Sequence, residues 1–263
     1  MYFTPHPQFF SRSTDEFGGK VPFIVTDLIA KLKSMNAEKV EGIFRLSGAA
    51  RDISELASIL DQGRVHDWTP FQNVHTVACT LKKYFRDNVR TQPLLPFDQF
   101  ESFIAIPTEA PTDEAAIPRY KQILKNITEA RVMTFAVLFQ YLHQISTVES
   151  SKMNPHNLAI VIAPNLLSPK PGTRSEEDLI KLNAIQNNAI ELMIRLYDKI
   201  FDDIKIDESS FITDDELKIL IPPPINEADL PIIVELRNIR KKSLIPFVPS
   251  EMLKLANNSQ NKE

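Results

Sequence analysis

The sequence predicts an all-α fold, and three observations carry that expectation. Glycine is scarce, six in 263 residues, too few for the many tight turns of a β-sandwich or barrel. Proline is abundant, nineteen residues, and clusters between apolar segments rather than within them, as in helices joined by irregular connections. Within the segments, apolar residues recur at helical spacing.

The elements follow in order. Residues 1–19, with Pro5, Pro7, Gly18 and Gly19, read as an irregular lead-in whose aromatics Tyr2, Phe3, Phe9 and Phe10 can pack back on the domain. Pro22 suits the first position of a helix. Ile24, Leu28, Leu32 and Met35 mark its stripe, and Asn36 its end. Ser47 or Gly48 can open the next helix, with Ile53, Leu56, Ala57 and Leu60 inside and Gly63 at its close. A third helix carries Val74, Val77, Ala78, Leu81 and Phe85 on its buried side. Pro93 and Pro96 break the chain. Residues 97–106 and 114–126 form shorter helices separated by Pro107 and Pro111. Thr128 is a candidate N-cap for a strong helix lined by Val132, Phe135, Leu138, Phe139, Leu142 and Ile145. The apolar run from Leu158 to Ala163 fits a strand by composition. Its helical surroundings favour a short buried helix, ended by Pro164 with Asn165 just beyond. A long helix over 176–201 turns Leu182, Ile185, Ala189, Met193 and Tyr197 inward. The composition shifts after Phe201. The extension over 202–263 holds Pro222-Pro223-Pro224, a helix over about 227–242, Leu244 to Pro249, a short helix capped by Ser250, and a polar end from Asn257.

Composition narrows the function classes. At 43% hydrophobic the chain can bury a sizeable core. Thirty basic and 34 acidic residues give a net charge of -4, so nothing global attracts nucleic acid or anionic lipid. The single cysteine, Cys79, excludes an intrachain disulfide and reads as a buried thiol in a cytosolic protein. No apolar run reaches membrane-spanning length, and the first residues lack the pattern of a signal peptide. The expected location is cytoplasmic, with any membrane recruitment left to a partner.

One stretch stands apart: Glu41-Gly42-Ile43-Phe44-Arg45-Leu46-Ser47-Gly48. It sets an always-charged Arg45 among three large apolar residues, with a glycine close on each side. Two readings are open. In one, Ile43, Phe44 and Leu46 pin a loop that holds the guanidinium outward for an anion elsewhere. In the other, the stem packs on the core and the head pairs with a carboxylate. Lys82 and Arg86 lie four apart on one helix face, which is either a solvated face or a basic site. Asn165 is either a helix-end residue satisfying loose backbone groups or part of that site.

Over residues 20–201 the sequence resembles the Rho GTPase-activating (RhoGAP) domain family. Gly42-Ile43-Phe44-Arg45-Leu46-Ser47-Gly48 matches its arginine-finger block. Asn73-Val74-His75-Thr76-Val77-Ala78, with Leu81-Lys82 and Phe85-Arg86, looks like its second block. Pro93-Leu94-Leu95 looks like the end of the proline-containing segment that follows. Asn157-Leu158-Ala159 with Ala163-Pro164-Asn165-Leu166-Leu167 looks like its third. The resemblance implies a single multi-helix all-α domain that is not itself a GTPase. It would stimulate GTP hydrolysis in trans on a Rho-family GTPase in its GTP-bound state, acting as a monomer. GTP and Mg²⁺ would belong to that partner, so the chain needs no cofactor. Arg45 would be the catalytic finger, Lys82 would face the GTPase, Arg86 would touch the partner or support the finger loop, and Asn165 would lie beside that loop. The family pattern departs between Arg86 and Pro93, where Asp87 to Gln92 reads about two residues longer.

Other signals carry less. The five histidines, His6, His66, His75, His143 and His156, lack metal-ligand spacing, and His75 fits a helix residue bonding locally. No glycine-rich phosphate loop and no Ser-His-acid constellation can be assembled. Arg237, Arg240, Lys241 and Lys242 form a small basic cluster that reads as a solvated helix end.

Overall fold

The computed structural model describes residues 8–220, and these belong to one compact unit. Ten α-helices and several 3₁₀ turns make up this part of the chain, with no β-strand among the described residues. α1 (Phe23–Ser34) follows Pro22, which sits at the N-cap, and Asn36 takes the left-handed conformation (φ 50°) just past its end. α2 (Ala50–Leu60) starts later than its sequence suggests. Gly48 lies tight against Thr76 at the start of the next helix, and Ala49, extended, takes the N-cap in place of Ser47 or Gly48, without a side-chain bond. α3 (Val74–Asn88) is capped by Asn73, whose side chain accepts from the amides of His75 and Thr76.

Prolines punctuate less sharply than expected. α4 (Phe100–Glu109) begins after residue 97 and carries Pro107 inside its last turn, while α7 (Pro155–Leu166) likewise contains Pro164. α5 (Asp113–Lys125) is capped by Thr112. α6 (Glu129–Ser146) has Thr128 at its N-cap position, but that hydroxyl donates to Asp15 instead of accepting from the helix. The expected stripe of α6 is buried, with Val132 at its margin, and burial extends round most of the helix: Ala130, Met133, Ala136, Val137 and Tyr141 are covered too. α6 packs against α1, α7 and the next helix, and so forms the centre of the core.

The long final helix is two pieces, α8 (Glu176–Arg195) and α9 (Tyr197–Ile200), separated at Leu196. α7 and α8 pack along each other. Ile185 is 41% exposed, and Gln186, Ile190 and Ile194 join Leu182, Ala189 and Met193 inside.

The lead-in is more ordered than its composition suggests. Phe9, Phe10 and Phe17 are buried, and Phe9 meets Phe23 edge-on at 5.2 Å. Compactness also continues past Phe201. The Val21 amide donates to the Ser210 carbonyl at 3.0 Å, Arg64 Nη2 donates to the Ile212 carbonyl at 2.6 Å, and Lys20 pairs with Glu216 at 2.7 Å. Ile212 and Leu217 are buried, the latter in α10 (Asp214–Leu220). The triple proline, the helix over 227–242, Leu244 to Pro249, the Ser250 cap, the polar end and the basic cluster at 237–242 lie outside the described residues.

Candidate functional site

The loop between α1 and α2 is anchored from below. The Gly42 amide donates to the Ser151 carbonyl at 2.8 Å, and Ser151 is buried in the connection between α6 and α7. Gly42 has φ +70°, which its missing Cβ permits. Its carbonyl then accepts from the amides of both Arg45 and Leu46 at 2.9 Å, closing a tight turn. Ile43 and Phe44 are fully buried, and the Phe44 ring meets Tyr141 edge-on at 6.5 Å. Phe44 also has φ +65°, a conformation that costs a bulky residue about 1–3 kcal/mol. The cost is tolerated because the ring must point into the core while the next residue turns outward. Leu46 departs from expectation: it is 46% exposed and lies beside the arginine rather than in the core.

The Arg45 side chain is exposed and, among the described residues, carries no hydrogen bond or ion pair. The neighbouring acid, Glu41, is engaged by Lys152 at 2.8 Å. That bond and charge hold its carboxyl below the usual range, with a smaller contribution from Arg45. Past the arginine the loop is pinned again. A Cβ at Gly48 would fall within 2.6 Å of the Thr76 Cα, so only glycine passes this point without displacing the start of α3.

α3 supplies the second layer. The Lys82 ammonium donates to the Phe44 carbonyl, the backbone group immediately before Arg45. Burial lowers the Lys82 pKa, and the charge of Arg86 adds to that, against an opposing influence of Cys79. Lys82 therefore braces the loop. Arg86, one turn on, is 61% exposed and, among the described residues, pairs with Asp87 alone, at 3.8 Å, a separation that contributes little at the surface. Asn165 sits in the last turn of α7 and donates to the Val161 carbonyl at 2.8 Å. Its side chain thus folds back on its own helix, and it also shares a small gap with Phe44 and Lys82. The structure brings Phe44, Lys82 and Asn165 together under the exposed Arg45, with Arg86 farther along the same face of α3.

Two features gave no clear signal in the sequence. Ser151 anchors the loop from a distant connection. Arg131, 9% exposed, pairs with Asp15 at 2.8 Å and also donates to the Pro93 and Leu94 carbonyls, tying the lead-in and the segment after α3 to the core. His75 departs from its expected local bonding: its amide is capped by Asn73, but its Nδ1 is buried without a partner. Among the described residues, no cluster of three His, Cys, Asp or Glu could hold a metal, and no helix is long and apolar enough to cross a membrane.

Residues 22–171 match the RhoGAP domain. The chain is 39% identical over 155 residues to Rho GTPase-activating protein gacY of Dictyostelium discoideum, covering 59% of this chain and 21% of that protein. It is 31% identical over 164 residues to Rho GTPase-activating protein 8 of Mus musculus, covering 62% of this chain and 37% of that one. The chain thus spans about a fifth to two fifths of the length of these relatives. Among solved structures, human Rho GTPase activating protein 15 superposes with a TM-score of 0.62 at 28% identity, covering 69% of this chain and 84% of that one. The BH domain from Graf superposes with a TM-score of 0.60 at 22% identity, covering 73% and 98%, a likeness of fold.

Proposed function

The chain belongs to the RhoGAP domain family, and from that premise we propose that it stimulates GTP hydrolysis on a Rho-family GTPase by supplying Arg45 in trans. One observation carries the reading: an exposed guanidinium without a partner, on a loop braced from both sides.

As the terminal phosphate separates, negative charge spreads over its oxygens and the leaving group. A guanidinium can bond two of those oxygens at once and stays charged throughout. Docking removes water from the site, which strengthens the attraction. Exposed Leu46 gives the finger an apolar flank to bury at that moment. The backbone arrangement is set before docking, so little order has to be created in the complex. In this reading Lys82 acts through the Phe44 carbonyl, as a positioning residue. Arg86 and Asn165 are the partner-facing groups beside it. The nucleotide and Mg²⁺ are the partner's.

Single-turnover hydrolysis on Rho-, Rac- and Cdc42-type GTPases, with wild type and Arg45→Ala, tests the proposal. The wild type is expected to accelerate at least one of them by about a thousand-fold or more, with the variant near the intrinsic rate. Intrinsic rates with both proteins on every GTPase would instead favour a helical module that binds without activating.

A further inference from the structure

We propose that Ser47 is a phosphoacceptor whose modification neutralises the finger. This rests on the reading of Arg45 above. Ser47 is exposed, and its hydroxyl has no hydrogen-bond partner among the described residues. Among the described residues the backbone of Ser47 and Gly48 makes no backbone–backbone hydrogen bond; the segment is held instead by the packing of Gly48 on Thr76 and by the 3.7 Å contact between Cys79 Sγ and the Leu46 carbonyl. Ser47 to Ala49 runs without regular structure, and Ala49 is extended (φ -64°, ψ 130°). Such a segment can enter a kinase cleft without breaking a backbone bond.

The charges around the hydroxyl suit an arginine-directed kinase. Arg45 lies two residues before it and Arg51 four after, both exposed and neither with an ion-pair partner among the described residues. Kinases select substrates by such charge patterns. In the transfer, Ser47 Oγ bonds to the γ-phosphorus of ATP, its proton passes to the kinase's base, the bond to the β-phosphate oxygen breaks, and ADP leaves.

The product has places to bond. A phosphoserine carries close to two negative charges and three acceptor oxygens. α2 begins two residues beyond Gly48 with no side-chain cap, so its first amides are open to an anion. The Thr76 hydroxyl, fully buried and unpartnered, faces Gly48. Asp52 and Glu55 on α2 are the opposing charges close by in sequence; Glu41 is held by Lys152. Arg45, two residues away, is a cation whose side chain has no partner among the described residues, and an arginine–phosphate pair is strong and often bidentate. A guanidinium so engaged cannot be offered to a partner's nucleotide, and the added dianion repels that nucleotide's own phosphates.

The test uses the full chain with phosphoserine encoded at position 47, alone and combined with Arg45→Ala, together with Ser47→Ala. In ³¹P titrations the phosphate pKa is expected to lie below that of a phosphoserine peptide and to rise again when Arg45 is replaced. In single-turnover assays the phosphorylated chain is expected to lose on the order of 100-fold in stimulated rate, while Ser47→Ala stays near wild type. A purified arginine-directed serine kinase with ATP is expected to add phosphate at Ser47, mapped by mass spectrometry, and to add less after Arg45→Ala. A phosphorylated chain that stimulates like the unmodified one, a ³¹P titration indifferent to Arg45, or no phosphate at position 47 overturns the proposal. If the unmodified chain fails to stimulate any GTPase, the proposed function fails, and the titration and the kinase assay still decide this inference.

Discussion

Arg45 and Arg131 occupy similar sequence and opposite structure. Each stands among apolar residues, Phe44 and Leu46 around one, Ala130 and Val132 around the other. Arg131 is 9% exposed and spends its donors on Asp15, Ser13 and two carbonyls. Arg45 is exposed and spends its side-chain donors on nothing among the described residues. The backbone makes the difference. α6 turns Arg131 into the core beside the buried stripe of the helix, where burying a charge is tolerable only if every donor is matched. The left-handed Phe44 sends its own ring inward and the next side chain out. A guanidinium with matched donors holds the fold; one with unmatched donors is free to act on something else.

The comparison can be broken in both directions. Arg45→Ala is expected to cost about a thousand to a hundred thousand fold in stimulated hydrolysis, while thermal unfolding shows a stability change within about 0.5 kcal/mol. Arg131→Met should do the reverse. It is expected to destabilise by about 3 kcal/mol by removing the ion pair from Asp15 and the donor from the Pro93 and Leu94 carbonyls, lowering Tm by about 6–12 °C, with near-normal stimulation per folded molecule. If Arg131→Met abolished activity at full stability, the division of roles would be wrong.

Smaller effects sharpen the picture of the loop. Lys82→Met removes the charged donor from the Phe44 carbonyl, an interaction of about 1.5–3 kcal/mol. The stimulated rate should fall about ten- to a hundred-fold, more through kcat than through affinity for the GTPase, because the lysine acts on the loop. Gly48→Ala pushes a Cβ into the Thr76 backbone and should cost about 1–3 kcal/mol by overpacking, read by chemical denaturation. The smallest effect concerns α10. Glu216, bonded first to Lys20 and then to Thr213, has its pKa lowered from 4.5 to about 2. Its contribution to stability is therefore present above about pH 4.5 and lost as pH falls toward 2. Glu216→Gln should flatten the acid limb of Tm against pH over that window. Asp27 shifts the other way, since burial raises its pKa against the opposing charge of Arg64, so acidification favours the fold there.

The helices were legible because their stripes are long and periodic; the caps at Asn73, Thr112 and Ser175 were not singled out in the sequence. The errors fall where tertiary contact overrides local signals. Pro107 and Pro164 look like stops but lie in last turns. Thr128 looks like a cap but its hydroxyl is drawn to Asp15. In the lead-in, Phe9 and Phe10 pack back on the core as their aromatic excess suggested, while Tyr2 and Phe3 lie outside the described residues. Within the site, an arginine between glycines marks the loop, but not that Leu46 would stay outside while Lys82 turned beneath the chain. Those facts depend on a contact between segments 38 residues apart, for which one sequence carries no signal.

The most direct measurement separates binding from acceleration: affinity for a Rho-family GTPase held in its GTP form, and hydrolysis rate at saturating chain, for wild type and Arg45→Ala. The account predicts affinities within a few fold, about ten-fold at most, and a collapse of the saturated rate in the variant. Equal saturated rates would contradict it.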